Sequence, residues 1–232
     1  MRSRSVCSPI MRAGDIAFER AHGCAHFDLL ERRPEAGQLF HRGMRAYSTQ
    51  VAAAVIRAYD FSGCHTVLDV GGGQGAFIAS LLKAYPALRG KLFDLPAALE
   101  QSRSVLEAAG VAERCEIVPG DFFESLPTGA DAAVLGRVIH NWDDDHCVRI
   151  LKNCRAALPT GGRLLIIEYV VTDDADGVAA KLFDLQMLVL FGRARERSAE
   201  EYGELLARAA FSLTRVITTP LGISVVEAEA VA

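Results

Sequence analysis

The stretch "VLDVGGGQGAFI", Val67 to Ile78, decides the fold. Val67, Leu68 and Val70 make an apolar strand-like run interrupted only by Asp69. Gly71, Gly72, Gly73 and Gly75 then crowd four glycines into five positions, and apolar spacing resumes at Ala76 as in a helix. A strand, a glycine loop and a helix in that order hold a nucleotide, because glycine lets the backbone approach a ligand and adopt conformations that a Cβ forbids.

On the C-terminal side, strand and helix patterns alternate. "GKLFDLP" and "CEIVPGDFF" read as strands, separated by the helix "AALEQSRSVLEAAG"; "AAVLGRVI" is followed by the helix "DDDHCVRILKNCRAALPTGG", the strand "RLLIIEYVV" and two further helices. The end, "SLTRVITTPLGISVVEAEA", reads as a two-strand return around Pro220, Leu221 and Gly222. On the N-terminal side, residues 15–60 are helical by spacing, with Asp15 as an N-cap and a separate helix opened by Ser48 or Thr49. This pattern predicts an α/β fold: a Rossmann-like, doubly wound, mostly parallel seven-stranded sheet with helices on both faces and an antiparallel C-terminal strand. The expected division is a helical segment at 1–60 and a catalytic domain at 61–232.

Three nucleotide classes compete for the loop. A phosphate-cradling Walker loop is excluded, because no Lys-Ser/Thr pair follows the glycines. A dinucleotide fits GxGxxA at Gly71, Gly73 and Ala76, with Asp94 about 20 residues on to take a ribose. The same residues also fit D-x-G-x-G-x-G, and the acid decides between the two. A carboxylate beside a pyrophosphate would repel it, whereas S-adenosylmethionine (SAM) has no phosphate and brings an amino group and a sulfonium cation. Asp94 can accept from both ribose hydroxyls, and Asp121 in "GDFF" can accept from the adenine amino group while Phe122 packs on the ring. The bland alternative for Asp69 and Asp121 is capping of the loops they enter. Three strand-end acids around one loop favour SAM.

Composition sets the outer bounds. The 232 residues are 50% hydrophobic and 23% charged, suited to one domain with a full core. A net charge of -4 and the lack of any Lys/Arg-rich run give nucleic acid no footing. The basic start "MRSRSVCSPIMRAGD" lacks a signal peptide's apolar stretch and no run is long enough for a bilayer, so a cytoplasmic protein with reduced cysteines and no membrane partner is expected. His146 beside Cys147 has no second ligand pair at zinc spacing, and no metal is expected.

Together, "VLDVGGGQGA", "FDLP", "GDFF", "HNWDDDHCVRILKNCRAALPTGGRLLIIE" and "RERSAEEYGELLARAAF" resemble the class I SAM-dependent O-methyltransferases of the caffeate/acetylserotonin type, whose bacterial members act on polyketides and other aromatic natural products. The likeness runs from about residue 15 to the end. It implies that His140 is the general base taking a phenol's proton, flanked by Glu168 and Glu196, and that S-adenosylhomocysteine is the coproduct. Leu95 of "FDLP" and Arg137 of "GRVIH" join Asp69, Gly71, Gly73, Gly75, Asp94, Asp121 and Phe122 in the expected cofactor set. The residues themselves agree, since His140 and Glu168 both follow strand ends, where α/β sheets place ligands, and histidine suits proton removal near neutral pH. Glu196 lies in a charged run that also reads as a solvated face.

Two departures from the family pattern stand out. Family members carry a helical, winged-helix-like dimerisation domain upstream that also lines the acceptor pocket, so a protein partner replacing it is an expectation here. The residue after the histidine, usually an acid, is Asn141. Asparagine occurs there in relatives working on anthracycline-type polyketides; some of these lack the histidine and methylate by positioning alone, and one branch has moved to SAM-assisted hydroxylation. Besides an O-methyltransferase for a small-molecule acceptor, two readings therefore stay open: a SAM-binding auxiliary subunit without independent turnover, and a nicotinamide-dependent oxidoreductase.

Overall fold

A computed structural model describes residues 16–173, 177–192 and 194–232. Its sheet comprises β1 (Thr66–Val70), β2 (Arg89–Asp94), β3 (Cys115–Pro119), β4 (Ala132–Gly136), β5 (Arg163–Val171), β7 (Phe211–Thr218) and β8 (Ile223–Ala230), in the spatial order β3-β2-β1-β4-β5-β8-β7. The first five are parallel, and β8 runs antiparallel between β5 and β7. This is the doubly wound sheet expected from the alternation of elements. One strand was not expected: β6, only Arg197–Ser198, adds to the end of β5.

The strands read as near-continuous apolar runs because helices cover both faces. Successive side chains point to opposite sides. Val67, Val134, Leu165 and Val225 enter one core layer, and Leu68, Leu135, Ile166 and Val226 enter the other. All eight are fully buried, and each such side chain stabilises by roughly 1.5–3 kcal/mol.

The helices are α1 (Ala17–His22), α2 (His26–Arg32), α3 (Pro34–Ala58), α4 (Ala76–Ala84), α5 (Ser102–Ala108), α6 (Asp144–Ala157), α7 (Val178–Phe191) and α8 (Ala199–Arg208). The helix expected to open at Ser48 or Thr49 does not start there. It is the second half of α3, and the Thr49 hydroxyl bonds back to the Arg45 carbonyl (3.0 Å) as an interior residue does. Asp15 lies outside the described residues, and Ile16 precedes α1 without a side-chain cap. The helix expected over residues 97–110 forms only as α5, because the chain first makes a turn in which Ala98 and Leu99 both bond to the Leu95 carbonyl.

Strand order reverses between β1 and β4: the chain leaves β1 for one side of the sheet and returns to the other. Ligands of open α/β sheets bind in the crevice beyond that switch point. The glycine loop after β1 and the turn Ile139–Asn141 after β4 both open there. Among the described residues no helix is long and apolar enough to cross a membrane. Cys24, Cys64, Cys115, Cys147 and Cys154 are free thiols, and Cys7 lies outside the described residues. The Cys147 sulfur points at the Ile139 carbonyl (3.3 Å), and burial pushes its thiol up to about 12, as befits a packing residue.

Candidate active site

The glycine loop is built as a cradle. Gly73 takes φ +56°, and a Cβ there would meet nothing within 4 Å, so the loop faces open space at this point. Gly72 answers a different need, since a Cβ would come within 2.5 Å of Asp69 Oδ2. Asp69 thus lies sealed beneath the loop, 2% exposed, with Oδ2 unpartnered. Burial, with Asp94 adding repulsion, pushes its carboxyl up to about 7. The structure places it as a sealed carboxyl under the loop rather than as a group on the loop's surface.

Asp94 ends β2 and anchors the loop from the other side. Its Oδ2 accepts from the Gly73 N–H (2.8 Å) and its Oδ1 from the Leu95 N–H (2.7 Å), while burial raises its carboxyl. Each oxygen keeps a second lone pair for a ligand hydroxyl. Leu95 follows it, 52% exposed, as an apolar face beside the acid. Asp121 makes the turn that the bland reading anticipated, its Oδ1 accepting from the Phe123 N–H (2.8 Å) and its Oδ2 left for a ligand. Phe122 lies against Gly71, its ring 3.6 Å from where a Cβ would stand. Gly71, Gly73, Gly75, Asp94 and Leu95 thus stand together past the ends of β1 and β2, with Asp69 beneath them, and Asp121 and Phe122 follow β3 on the Gly71 side.

Across the switch point His140, Glu168 and Glu196 converge from distant parts of the chain, all buried. His140 Nδ1 is 3.0 Å from Glu196 Oε1 and 3.9 Å from Glu168 Oε2. A carboxylate only accepts, so Nδ1 carries the ring proton and Nε2 is the nitrogen left to take one. Glu168 Oε1 accepts from the His140 backbone N–H (3.3 Å), which ties the end of β5 to the histidine turn. Burial raises the Glu168 carboxyl, against the pull of His140 and Arg137.

Arg137, expected with the cofactor set, has its guanidinium in this carboxylate pair instead. Its Nη1 lies 2.8 Å from Glu196 Oε1 and 3.3 Å from Glu168 Oε2. The residue takes φ +60°, a left-handed conformation rare outside glycine, as the chain leaves β4. The stacked rings of Tyr169 and Phe183 stand about 5 Å from the guanidinium carbon. Burial alone would lower Arg137, but Glu168 and Glu196 overcome it and hold the group charged. One atom from each of His140, Glu168 and Glu196 lies within 4.8 Å of the others. The positive charge those carboxylates meet is the guanidinium, so the cluster has its own cation.

Several residues that hold this arrangement escaped sequence reasoning. The run "RARERSAEE", which also read as a solvated face, is partly interior: Glu196 and Arg197 are both buried. Arg197 bonds to Asp144 and to the carbonyls of Ile139 and Trp142, pinning the strand after Glu196 to the histidine turn. The Arg195 N–H donates to the His140 carbonyl (3.0 Å) and the Glu196 N–H to Asp184 Oδ1 (3.0 Å). The signal for Asp184 was present, a lone acid in the apolar run "LFDLQMLVLF". A cavity of about 510 Å³ opens beside Glu196, lined by Asp184, Leu188, Gly192 and Glu201 among others.

The model of the O-methyltransferase domain family matches residues 7–212. Over 218 residues the chain is 42% identical to a phenazine O-methyltransferase of Lysobacter antibioticus, covering 94% of this chain and 64% of the relative. It is 41% identical over 212 residues to a mitomycin biosynthesis 6-O-methyltransferase of Streptomyces lavendulae, covering 91% and 60%. The chain thus spans less than two thirds of the length of these curated relatives. Among solved structures, that of LaPhzM superposes with a TM-score of 0.89 at 41% identity, over 96% of this chain and 67% of the other. An O-methyltransferase from neocarzinostatin biosynthesis, crystallised with SAM and 2-hydroxy-5-methyl naphthoic acid, gives a TM-score of 0.85 at 32% identity, over 97% and 66%.

Proposed function

The chain belongs to the O-methyltransferase domain family, and from that premise we propose that it methylates a hydroxyl, phenolic in character, of a small aromatic or polyketide-type natural product. SAM is the donor, held by Asp94, Leu95, Asp121, Phe122 and the Gly71–Gly75 loop with Asp69 beneath it, and it supplies the methyl group. The observation behind this reading is the buried His140–Glu196 contact of 3.0 Å, on the β4 side of the same switch point.

His140 Nε2 takes the proton of the acceptor hydroxyl. Glu196, on the far ring nitrogen, fixes the tautomer and stabilises the imidazolium as it forms. Glu168 holds the histidine turn through its backbone N–H. The crevice supplies alignment, which can be worth up to ~7–11 kcal/mol, and a base of this kind adds roughly 10²–10⁴-fold. Nothing in the arrangement requires an acid after the histidine: the Asn141 amide donates to the Arg137 carbonyl (3.2 Å).

The test is direct incubation of the chain with SAM and a panel of phenolic precursors, followed by mass spectrometry for a product heavier by one methyl group. A methyl ether that disappears in His140→Ala supports the reading. SAM binding without any product overturns it in favour of an auxiliary subunit. That second reading draws on α7, whose Val178, Leu182, Leu185 and Val189 are exposed apolar side chains near the crevice. A natural acceptor is best sought among the host's metabolites by the same mass shift.

A further inference from the structure

Two buried carboxylates around one imidazole pose a chemical problem that the proposed base must escape. A histidine that is to accept a proton has to arrive without one. Glu168 and Glu196, acting alone in a dry site, would hold a proton on His140 permanently, because an opposite charge within ~4–6 Å favours the charged form by about 1–3 pH units. A third group must therefore offset part of their charge. Arg137 is in contact with both of them, and its backbone takes a left-handed conformation where it does so.

We infer that Arg137 is a positioning residue that keeps His140 uncharged and ready to accept a proton, by offsetting one of the two buried carboxylates that hold its ring. With Arg137 in place, two carboxylates and one guanidinium leave a single net negative charge facing the imidazole. That charge is enough to stabilise the imidazolium once the acceptor's proton arrives, and the cluster then becomes neutral overall. Glu196 Oε1 is the hinge of the device, since it meets Arg137 Nη1 at 2.8 Å and His140 Nδ1 at 3.0 Å.

The surrounding elements leave that role to Arg137. From α7, Asp184 takes the Glu196 backbone N–H, and from β6, Arg197 is committed to Asp144. From α8, the buried Tyr202 hydroxyl stays protonated, held far above its ordinary range by burial. From α6, the Cys147 thiol is likewise held neutral by burial. From α3, the Tyr47 hydroxyl, held above its ordinary range by burial, stays protonated and donates to Tyr169. Among the described residues, Arg137 is the cation in contact with both glutamates.

The inference rests on His140 as the base, but its test does not need turnover. The His140 ring is followed by NMR of histidine-labelled protein across pH, assigned with His140→Gln, with neither donor nor acceptor present. Arg137→Met should move the ring's titration midpoint up by about 1–3 units, and Arg137→Lys should restore it. Glu168→Gln should move it down, and the double variant Arg137→Met/Glu168→Gln should return it to near the wild-type value. A midpoint that is unchanged or lower in Arg137→Met overturns the inference. Should that variant fail to fold, Glu168→Gln and the charge-balanced double variant decide, and a Glu168→Gln midpoint at or above wild type overturns it. A chain that shows these shifts yet methylates nothing keeps the inference and sinks the methyltransferase reading. Where turnover is measurable, the rate profile of Arg137→Met should move to higher pH by the same interval, which a merely structural defect would not produce.

Discussion

Arg197, fully buried, grips Asp144 at the first turn of α6, with Nη2 2.7 Å and Nε 3.1 Å from the same Oδ1. Burial works against the Asp144 carboxylate, yet Arg197 and Arg195 outweigh it and hold the group below the ordinary carboxylate range. The pair joins two stretches more than fifty positions apart, the histidine turn with its following helix and the segment that delivers Glu196. The same guanidinium also reaches the carbonyls of Ile139 and Trp142, on either side of His140.

Replacing Arg197 with Leu should therefore destabilise the fold and disturb the site together. It removes a charged donor from two carbonyls, at about 1.5–3 kcal/mol for each such hydrogen bond, leaving Ile139 with the Trp142 N–H and the Cys147 thiol and Trp142 with the weak thiol donor. Asp144 is nearly half exposed, so water softens the loss of the ion pair itself. Urea denaturation measures the first effect. Methyl transfer should fall because Glu196 shifts, while SAM affinity, set across the crevice, should hold. Equal losses in both would mean that the whole domain has loosened.

How much of this was legible depends on how local each signal is. β1, its glycine loop and α4 are consecutive, so spacing and composition revealed them directly, and Asp94 could be placed by the strand that follows. Arg137 was not legible as a partner of Glu168 and Glu196, because 31 and 59 positions separate it from them and only the sheet brings them together. Ser48 and Thr49 misled for the opposite reason. Their cap-forming chemistry is a local preference, and the packing of α3 on α4 overrode it, with Val51, Ala52 and Val55 buried along one continuous helix. β6 was invisible because two polar residues form no pattern.

His140→Ala should lower turnover by about 10²–10⁴-fold and leave SAM affinity nearly unchanged, since the base acts only in the chemical step. Acceptors with more acidic phenols should depend less on His140, because they arrive already ionised. Rates measured on a series of phenols of differing acidity test this. Full turnover of the variant on a weakly acidic hydroxyl would leave catalysis to alignment alone, as in the positioning-only relatives suggested by Asn141.

Asp94→Ala should weaken SAM binding by the ~1.5–3 kcal/mol typical of hydrogen bonds to a charged group. Its two oxygens already hold the N–H groups of Gly73 and Leu95, so the loop should slacken as well. Asp94→Asn keeps one acceptor and should fall between the two. Calorimetric titration with SAM and S-adenosylhomocysteine ranks the three proteins, and an unchanged affinity in Asp94→Ala would remove the cofactor assignment.

Asp69 gives the clearest dependence on pH. Its carboxyl stands at about 7 in the fold, against an ordinary value of 3.8, because burial beneath Gly72 disfavours the charge and Asp94 repels it. The folded state therefore keeps a proton that the unfolded chain has already released between those two values. Stability from this group is complete below about 4, declines as pH rises through 7, and is level above that. Asparagine at the same place carries no charge at any pH, so Asp69→Asn should match the wild type in acid and gain on it as the pH rises. Between pH 5.5 and 8 the gap should widen by about 2 kcal/mol at most, from ~1.4 kcal/mol per unit over the interval below 7. Urea denaturation of both proteins at the two pH values, without SAM, measures it. A gap that stays constant would mean that Asp69 ionises in the fold as easily as in water, and that burial beneath the loop does not disfavour its charge.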